Sequence, residues 1–134
     1  MPFLVKEEPA NYAFDAFVKD GGTSWTGVKN PLAQKHLRSI KKGDLVFYYH
    51  TGDEKAVVGI AKAKGDAYPD PKGAFANSHA VDLVPVKKLK QPVTLAAIKA
   101  DKRFADFPLT YMPRLSVMPV TDKQWKMILE IAGS

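Results

Sequence analysis

The run Leu45-Val46-Phe47-Tyr48-Tyr49, followed after Thr51-Gly52-Asp53 by Ala56-Val57-Val58-Gly59-Ile60-Ala61, constrains this chain most. Aromatic and β-branched residues suit a pleated, half-buried surface, and a Gly-Asp pair between two such runs is hairpin chemistry. An antiparallel pair of strands is therefore expected at the centre of the fold, with Gly43-Asp44 turning the chain into it. A third long strand is expected across 80–88, after a loop broken by prolines at Tyr68-Pro69-Asp70-Pro71. Phe3-Leu4-Val5 suits a short buried strand that ends before Pro9, which has no backbone donor.

Helical spacing surrounds these strands. Phe14, Phe17 and Val18 predict a helix over 11–19, stopped by Gly21-Gly22. Asn30-Pro31 is a helix start, because the amide caps and proline at the first position loses no hydrogen bond. That helix is expected to run to about Ile40 and bury Leu32, Ala33, Leu37 and Ile40. Thr94 caps a short helix over 95–98, and 104–113, with three aromatics and two prolines, reads as irregular. Thr121 and Gln124 form a capping box ahead of an apolar face of Trp125, Ile128, Leu129 and Ala132, which makes Trp125 a core residue. Strand, helices, consecutive strands and helices in that order predict an α+β fold, a small antiparallel sheet or barrel with helices around it. Closing the sheet would remove its exposed edges.

The 134 residues fit one domain, 1–134, with no repeat or linker to divide it. The absence of cysteine excludes a disulfide framework and thiolate metal sites. No apolar stretch approaches the roughly 20 residues that span a bilayer, and Met-Pro-Phe-Leu-Val-Lys lacks the pattern of a signal peptide, so a soluble cytoplasmic protein is expected. The 20 lysines and arginines against 14 acids give a formal charge of +6, a balance that favours polyanions and also serves solubility. The pairs and clusters Lys41-Lys42 and Lys87-Lys88-Lys90 suit either a solvated face or a phosphate track.

Ser24-Trp25-Thr26-Gly27-Val28-Lys29-Asn30 carries the densest chemistry. Trp25, read as lying in a loop, is either a plane on which a flat ligand stacks or a core plug. Gly27 permits close approach of a ligand, and Lys29 adds a cation. Asn30 caps a helix with its oxygen, which leaves its NH₂ donors free for a base edge. Alternation places Tyr48 and His50 on one face of the central strand, and Tyr49 on the other with Leu45 and Phe47. The acids Glu8, Asp44 and Asp70 and the histidines 36, 50 and 79 show no metal-ligand spacing. No nucleophile elbow, phosphate-cradling glycine loop or dinucleotide fingerprint is present.

Taken together, five ordered motifs resemble the EVE domain. They are Lys6-Glu7-Glu8-Pro9, the tryptophan segment 24–30, Gly43 to Thr51, Tyr68-Pro69-Asp70-Pro71, and Arg114-Leu115-Ser116-Val117-Met118-Pro119-Val120. The resemblance spans nearly the whole chain. It implies a PUA-like fold, a closed and mostly antiparallel β-barrel flanked by short helices with a C-terminal helix, related to YTH domains. It also implies binding of a modified base in DNA or RNA through an aromatic pocket. In that reading Trp25 stacks on the base, Asn30 bonds its polar edge, and Thr51 and Ser116 line the pocket. Lys6 and Arg114 lie nearer the phosphates or an acidic group of the ligand, while Glu8, Tyr49 and His50 fall within motifs without assigned roles. Two positions depart from the pattern. Lys29 stands where the family has arginine and lacks its planar bidentate geometry. Thr51 stands for serine, keeping the hydroxyl and adding a methyl group that narrows the space.

The expectation is a monomeric, non-catalytic nucleic-acid-binding module with no cofactor, metal or membrane partner. Two alternatives stand beside it. One is a general RNA-binding protein that reads backbone shape, with Trp25 structural. The other is an enzyme acting on a nucleotide or modified base through Glu8, His50 or Asp70.

Overall fold

The protein is described by a computed structural model over residues 1–73 and 77–134. Strands β1 (Phe3–Glu7), β2 (Thr23–Trp25), β3 (Leu45–His50), β4 (Ala56–Ala63), β6 (His79–Thr94) and β7 (Val117–Pro119) form a sheet in the order β2-β6-β4-β3-β1-β7. β5 (Tyr68–Pro69) pairs with β6. Among the described residues every pairing is antiparallel except β1 with β3. Parallel neighbours need a long crossover. Here α1 (Pro9–Tyr12), α2 (Phe14–Asp20), β2 and α3 (Pro31–Arg38) supply it.

The α+β, mostly antiparallel architecture is that expected, but the sheet is a curled half-barrel and not a closed barrel. Its end strands β2 and β7 do not pair among the described residues. α3 packs against both β6 and β7. At two register shifts against β4, between Val57 and Gly59 and between Ile60 and Ala61, the extra residues lie in β6, so β6 is the bulged strand, and bulges bend strands. β6 is a single strand of 16 residues, long enough to serve β2, β4 and β5, where 80–88 alone was expected.

The helix expected over 11–19 is two helices broken at Ala13, which is extended at φ −73° and ψ 157°. The break orphans two backbone groups, and β3 satisfies both. The Tyr48 hydroxyl donates to the Tyr12 carbonyl, and the Phe14 N–H donates to His50 Nε2 at 3.0 Å. Gly21 then closes α2 in the left-handed region at φ 76°, its N–H bonding the Phe17 and Val18 carbonyls.

Around Tyr48, fully buried, the rings of Phe14, Phe17 and Trp25 converge within 5.2–5.4 Å between centroids. Phe14 lies flat on Gly59, where an added Cβ would come within 2.3 Å of its ring. Phe47 stacks on Trp125 of α6 (Asp122–Ala132) at 3.7 Å between centroids and 17° between planes, so Trp125 is core as expected. The capping box of α6 forms in both directions, Gln124 N–H to Thr121 Oγ1 at 3.1 Å and Thr121 N–H to Gln124 Oε1 at 3.0 Å. Leu32, expected inside, is exposed, and so is Val18. Gln34 takes the inward place on α3 instead, its amide donating to the Val28 carbonyl at 2.7 Å and accepting from the His79 N–H at 3.0 Å. α4 (Leu95–Ala100) carries the Thr94 cap as expected, and the segment expected to be irregular contains a 3-10 turn (Lys102–Phe104) and α5 (Pro108–Tyr111). No described helix is long and apolar enough to cross a membrane.

Candidate functional site

The carboxyl ends of β1 and β3 lie side by side with Lys6 opposite Tyr49 and Glu7 opposite His50. The Thr51 N–H continues the ladder to the Glu7 carbonyl at 3.0 Å. On the other side of β1, the Lys6 N–H bonds the Ser116 carbonyl at 3.0 Å, which brings in the segment from Pro113 to Ser116. Three of the motifs singled out in the sequence therefore meet at one end of the sheet.

Lys6 is half-buried there. Its ammonium donates to the Pro113 carbonyl at 3.2 Å and lies 5.7 Å from the centroid of the Tyr49 ring, and it forms no ion pair among the described residues. Burial lowers its pKa below the ordinary lysine value, because a charge is held where water is scarce. Burial likewise raises the Tyr49 phenol. A desolvated cation with only a carbonyl and a ring face for company attracts an anion strongly.

A cleft of about 380 Å³ opens beside this pair, lined by Lys6, Tyr49, Thr51, Gly52 and Pro113 and rimmed by Lys55, Lys99 and Tyr111. No Asp or Glu lines it. The Leu95 N–H bonds the Lys55 carbonyl at 2.8 Å, which ties the start of α4 to the β3–β4 turn and makes them one wall. A second cleft of about 270 Å³ holds Asn30, Leu32, Met112, Arg114 and Leu115, and it shares Tyr111 and Pro113 with the first. It too lacks an acid.

The remaining candidates are distributed as follows. Glu8 stands behind the first cleft, where its carboxylate accepts from Thr51 Oγ1 at 3.3 Å and caps α1 at the Ala10 N–H. A Cβ on Gly52, at φ 75°, would meet that carboxylate at 2.7 Å, so the turn needs glycine for both conformation and space. Asn30 caps α3 through Oδ1 to the Ala33 N–H at 3.0 Å, and its NH₂ group donates to no described residue. His50 is buried with both ring nitrogens engaged, Nε2 by Phe14 and Nδ1 by Glu54 at 2.7 Å. Lys29 lines another cavity of about 310 Å³ with Gly27, Asp70 and Lys72. Ser116 is half-buried beside Lys6.

Trp25 is not in a loop. It ends β2 opposite Val81 on β6, is 6% exposed, and meets the Tyr48 ring edge-on. Successive residues of a strand face opposite ways, so Trp25 and Tyr48 lie on the face of β3 away from Tyr49 and Lys6. The structure thus joins Lys6, Tyr49 and Thr51 in one cleft and Asn30 and Arg114 in its neighbour, with Trp25 and Lys29 elsewhere. Asp70 likewise stands apart from Glu8 and His50. Sequence reasoning missed Lys55, Lys99 and Tyr111. The signal for Tyr111 was present as an aromatic with a polar tip in a short segment bounded by Pro108 and Pro113.

Comparison with known proteins agrees with the motifs. The EVE domain profile matches residues 2–131. The solution structure of a Rhodopseudomonas palustris protein is 45% identical and superposes with a TM-score of 0.92, over 98% of this chain and 92% of that one. The crystal structure of the human THYN1 protein in complex with 5-methylcytosine-containing DNA is 25% identical with a TM-score of 0.83, over 99% of this chain and 98% of that one. Thymocyte nuclear protein 1 from Homo sapiens is 28% identical and that from Gallus gallus 30%, each over 81% of this chain. The matches span 59% and 54% of those two proteins, less than two thirds of their length. On this match and these superpositions, the chain belongs to the EVE domain family.

Proposed function

We propose that this chain is a non-catalytic nucleic-acid-binding module that holds a modified base of DNA or RNA in the cleft at the carboxyl ends of β1 and β3. The observation that carries the reading is Lys6, a half-buried cation without an ion-pair partner among the described residues, set over the Tyr49 ring beside the Thr51 hydroxyl. An aromatic ring, a cation and a hydroxyl that donates to Glu8 behind the wall, leaving its lone pairs to accept from a ligand, suit a flat base joined to a phosphate. The superposable human protein in complex with 5-methylcytosine-containing DNA supports the same class of ligand. Taking a base out of its stack costs about a few kcal/mol, least in a single strand. Contacts to base and phosphate in the cleft offset that cost. Binding without catalysis is supported by the engagement of both His50 nitrogens, which leaves that residue no free site for proton transfer.

The test is fluorescence anisotropy with single-stranded DNA and RNA oligomers, each with and without 5-methylcytosine. The parent is expected to prefer the modified oligomer, and Lys6→Met is expected to bind about tenfold more weakly, the loss of one charge-assisted contact. Equal binding of modified and unmodified oligomers removes base recognition. Unchanged binding by Lys6→Met removes this cleft.

A further inference from the structure

Tyr111 is 59% exposed, a large aromatic left open on the ridge between the two clefts. The backbone beneath it is held firmly. Pro108 opens α5, the Met112 N–H bonds the Pro108 carbonyl at 2.8 Å, Thr110 bonds the Phe107 carbonyl through both N–H and hydroxyl, and Leu109 and Phe107 are buried. With the backbone fixed, only the two side-chain torsions of the ring remain to be ordered when a ligand covers it.

Resting on base capture in the β1–β3 cleft, we propose that Tyr111 and the adjoining cleft of Asn30 and Arg114 form a second subsite for the nucleotide next to the captured base. The ligand is then a single-stranded or locally opened stretch of nucleic acid and not a free nucleoside. Three observations converge. The clefts share Tyr111 and Pro113, so a chain leaving one enters the other across the ridge. The Lys6 ammonium bonds the Pro113 carbonyl, which puts a cation at that crossing, where the phosphate linking two nucleotides has to pass. The second cleft supplies what a neighbouring base requires: the Tyr111 ring to stack on, Asn30 NH₂ donors not used in the helix cap, and the Arg114 guanidinium. Stacking on an aromatic ring tolerates any base, so this subsite adds affinity with little demand on sequence.

The experiment is an NMR titration of the parent, Tyr111→Ala and Tyr111→Phe with two probes, 5-methyl-2′-deoxycytidine monophosphate and a DNA trinucleotide carrying 5-methylcytosine at its centre. The parent is expected to bind the trinucleotide more tightly than the mononucleotide by about 5-fold or more, the low end of base–aromatic stacking. Tyr111→Ala is expected to lose that gain, whatever it does to the mononucleotide, and Tyr111→Phe to keep it. The ratio between the two variants separates ring stacking from the added phosphates. A gain that survives in Tyr111→Ala, or equal binding of both probes by the parent, overturns the second subsite and leaves base capture standing. Failure of the parent to bind either probe overturns base capture itself.

Discussion

The Trp25 indole meets the Tyr48 ring edge-on, with centroids 5.3 Å apart and planes at 84°, and both side chains are buried on the same face of β3. Trp25 therefore belongs to the aromatic cluster that locks α1 and α2 onto the sheet. Trp25→Ala is expected to cost about 3–5 kcal/mol in chemical denaturation, the usual range for emptying a buried aromatic site. A loss below about 1 kcal/mol would show that the ring carries little of the core. Because the alanine variant is so destabilised, Trp25→Phe is the better probe of ligand contact. It is expected to keep any preference for modified oligomers, whereas a Trp25 that itself stacks on the base would lose it.

Tyr48 is expected to contribute to the loss of stability at alkaline pH, alongside Tyr49, whose phenol burial also raises. Burial pushes the Tyr48 phenol well above the ordinary tyrosine range, and the Glu7 carboxylate pushes in the same direction. The folded chain thus holds a proton that the unfolded chain releases. Stability from this group is complete below the ordinary tyrosine pKa and falls as pH rises through it toward the raised folded value. Tyr48→Phe is expected to flatten that alkaline decline. At neutral pH it is expected to cost about 1–3 kcal/mol, because the Tyr12 carbonyl at the helix break loses its donor. Urea denaturation across a pH series reads both effects, and an unaltered alkaline slope would assign the decline to other groups.

Lys55 and Lys99 rim the first cleft and form no ion pairs among the described residues. Each is expected to release counterions when a nucleic-acid strand binds. Lys55→Gln and Lys99→Gln should each reduce the slope of log affinity against log salt by about 0.7 on single-stranded DNA. Lys123→Gln, on α6 and outside both clefts, serves as the control and should leave the slope unchanged. Equal slopes for all three variants and the parent would place the strand elsewhere on the surface.

Much of the fold is legible in the sequence because its signals are local. The α6 capping box needs only Thr121 and Gln124, and the β3–β4 hairpin needs only two apolar runs and a turn between them. The break at Ala13 is not legible in that way. Its stability comes from Tyr48 and His50, each 36 residues distant from the group it satisfies. The exposure of Leu32 has a similar origin, since Gln34 finds partners at Val28 and His79 that only the folded chain brings near. Lys6, Thr51, Asn30 and Arg114 were legible as site candidates through their motifs and Tyr111 only as an aromatic between two prolines, whereas Lys55 and Lys99 were not, because the β3–β4 turn and α4 that carry them reach the cleft only in the folded chain.

The sequence by itself determined the family, the helix caps and the central hairpin, all of which depend on residue order and short-range spacing. Tertiary structure alone decided that α3 packs against β6 and β7, strands far apart in the sheet order, and that Lys6 and Tyr49 share a cleft that Trp25 does not enter. The physical reason is strand register. Pairing β1 with β3 across a crossover of three helices sets Lys6 opposite Tyr49, and the alternation of side chains along β3 then sends Tyr48, with Trp25 against it, to the opposite face.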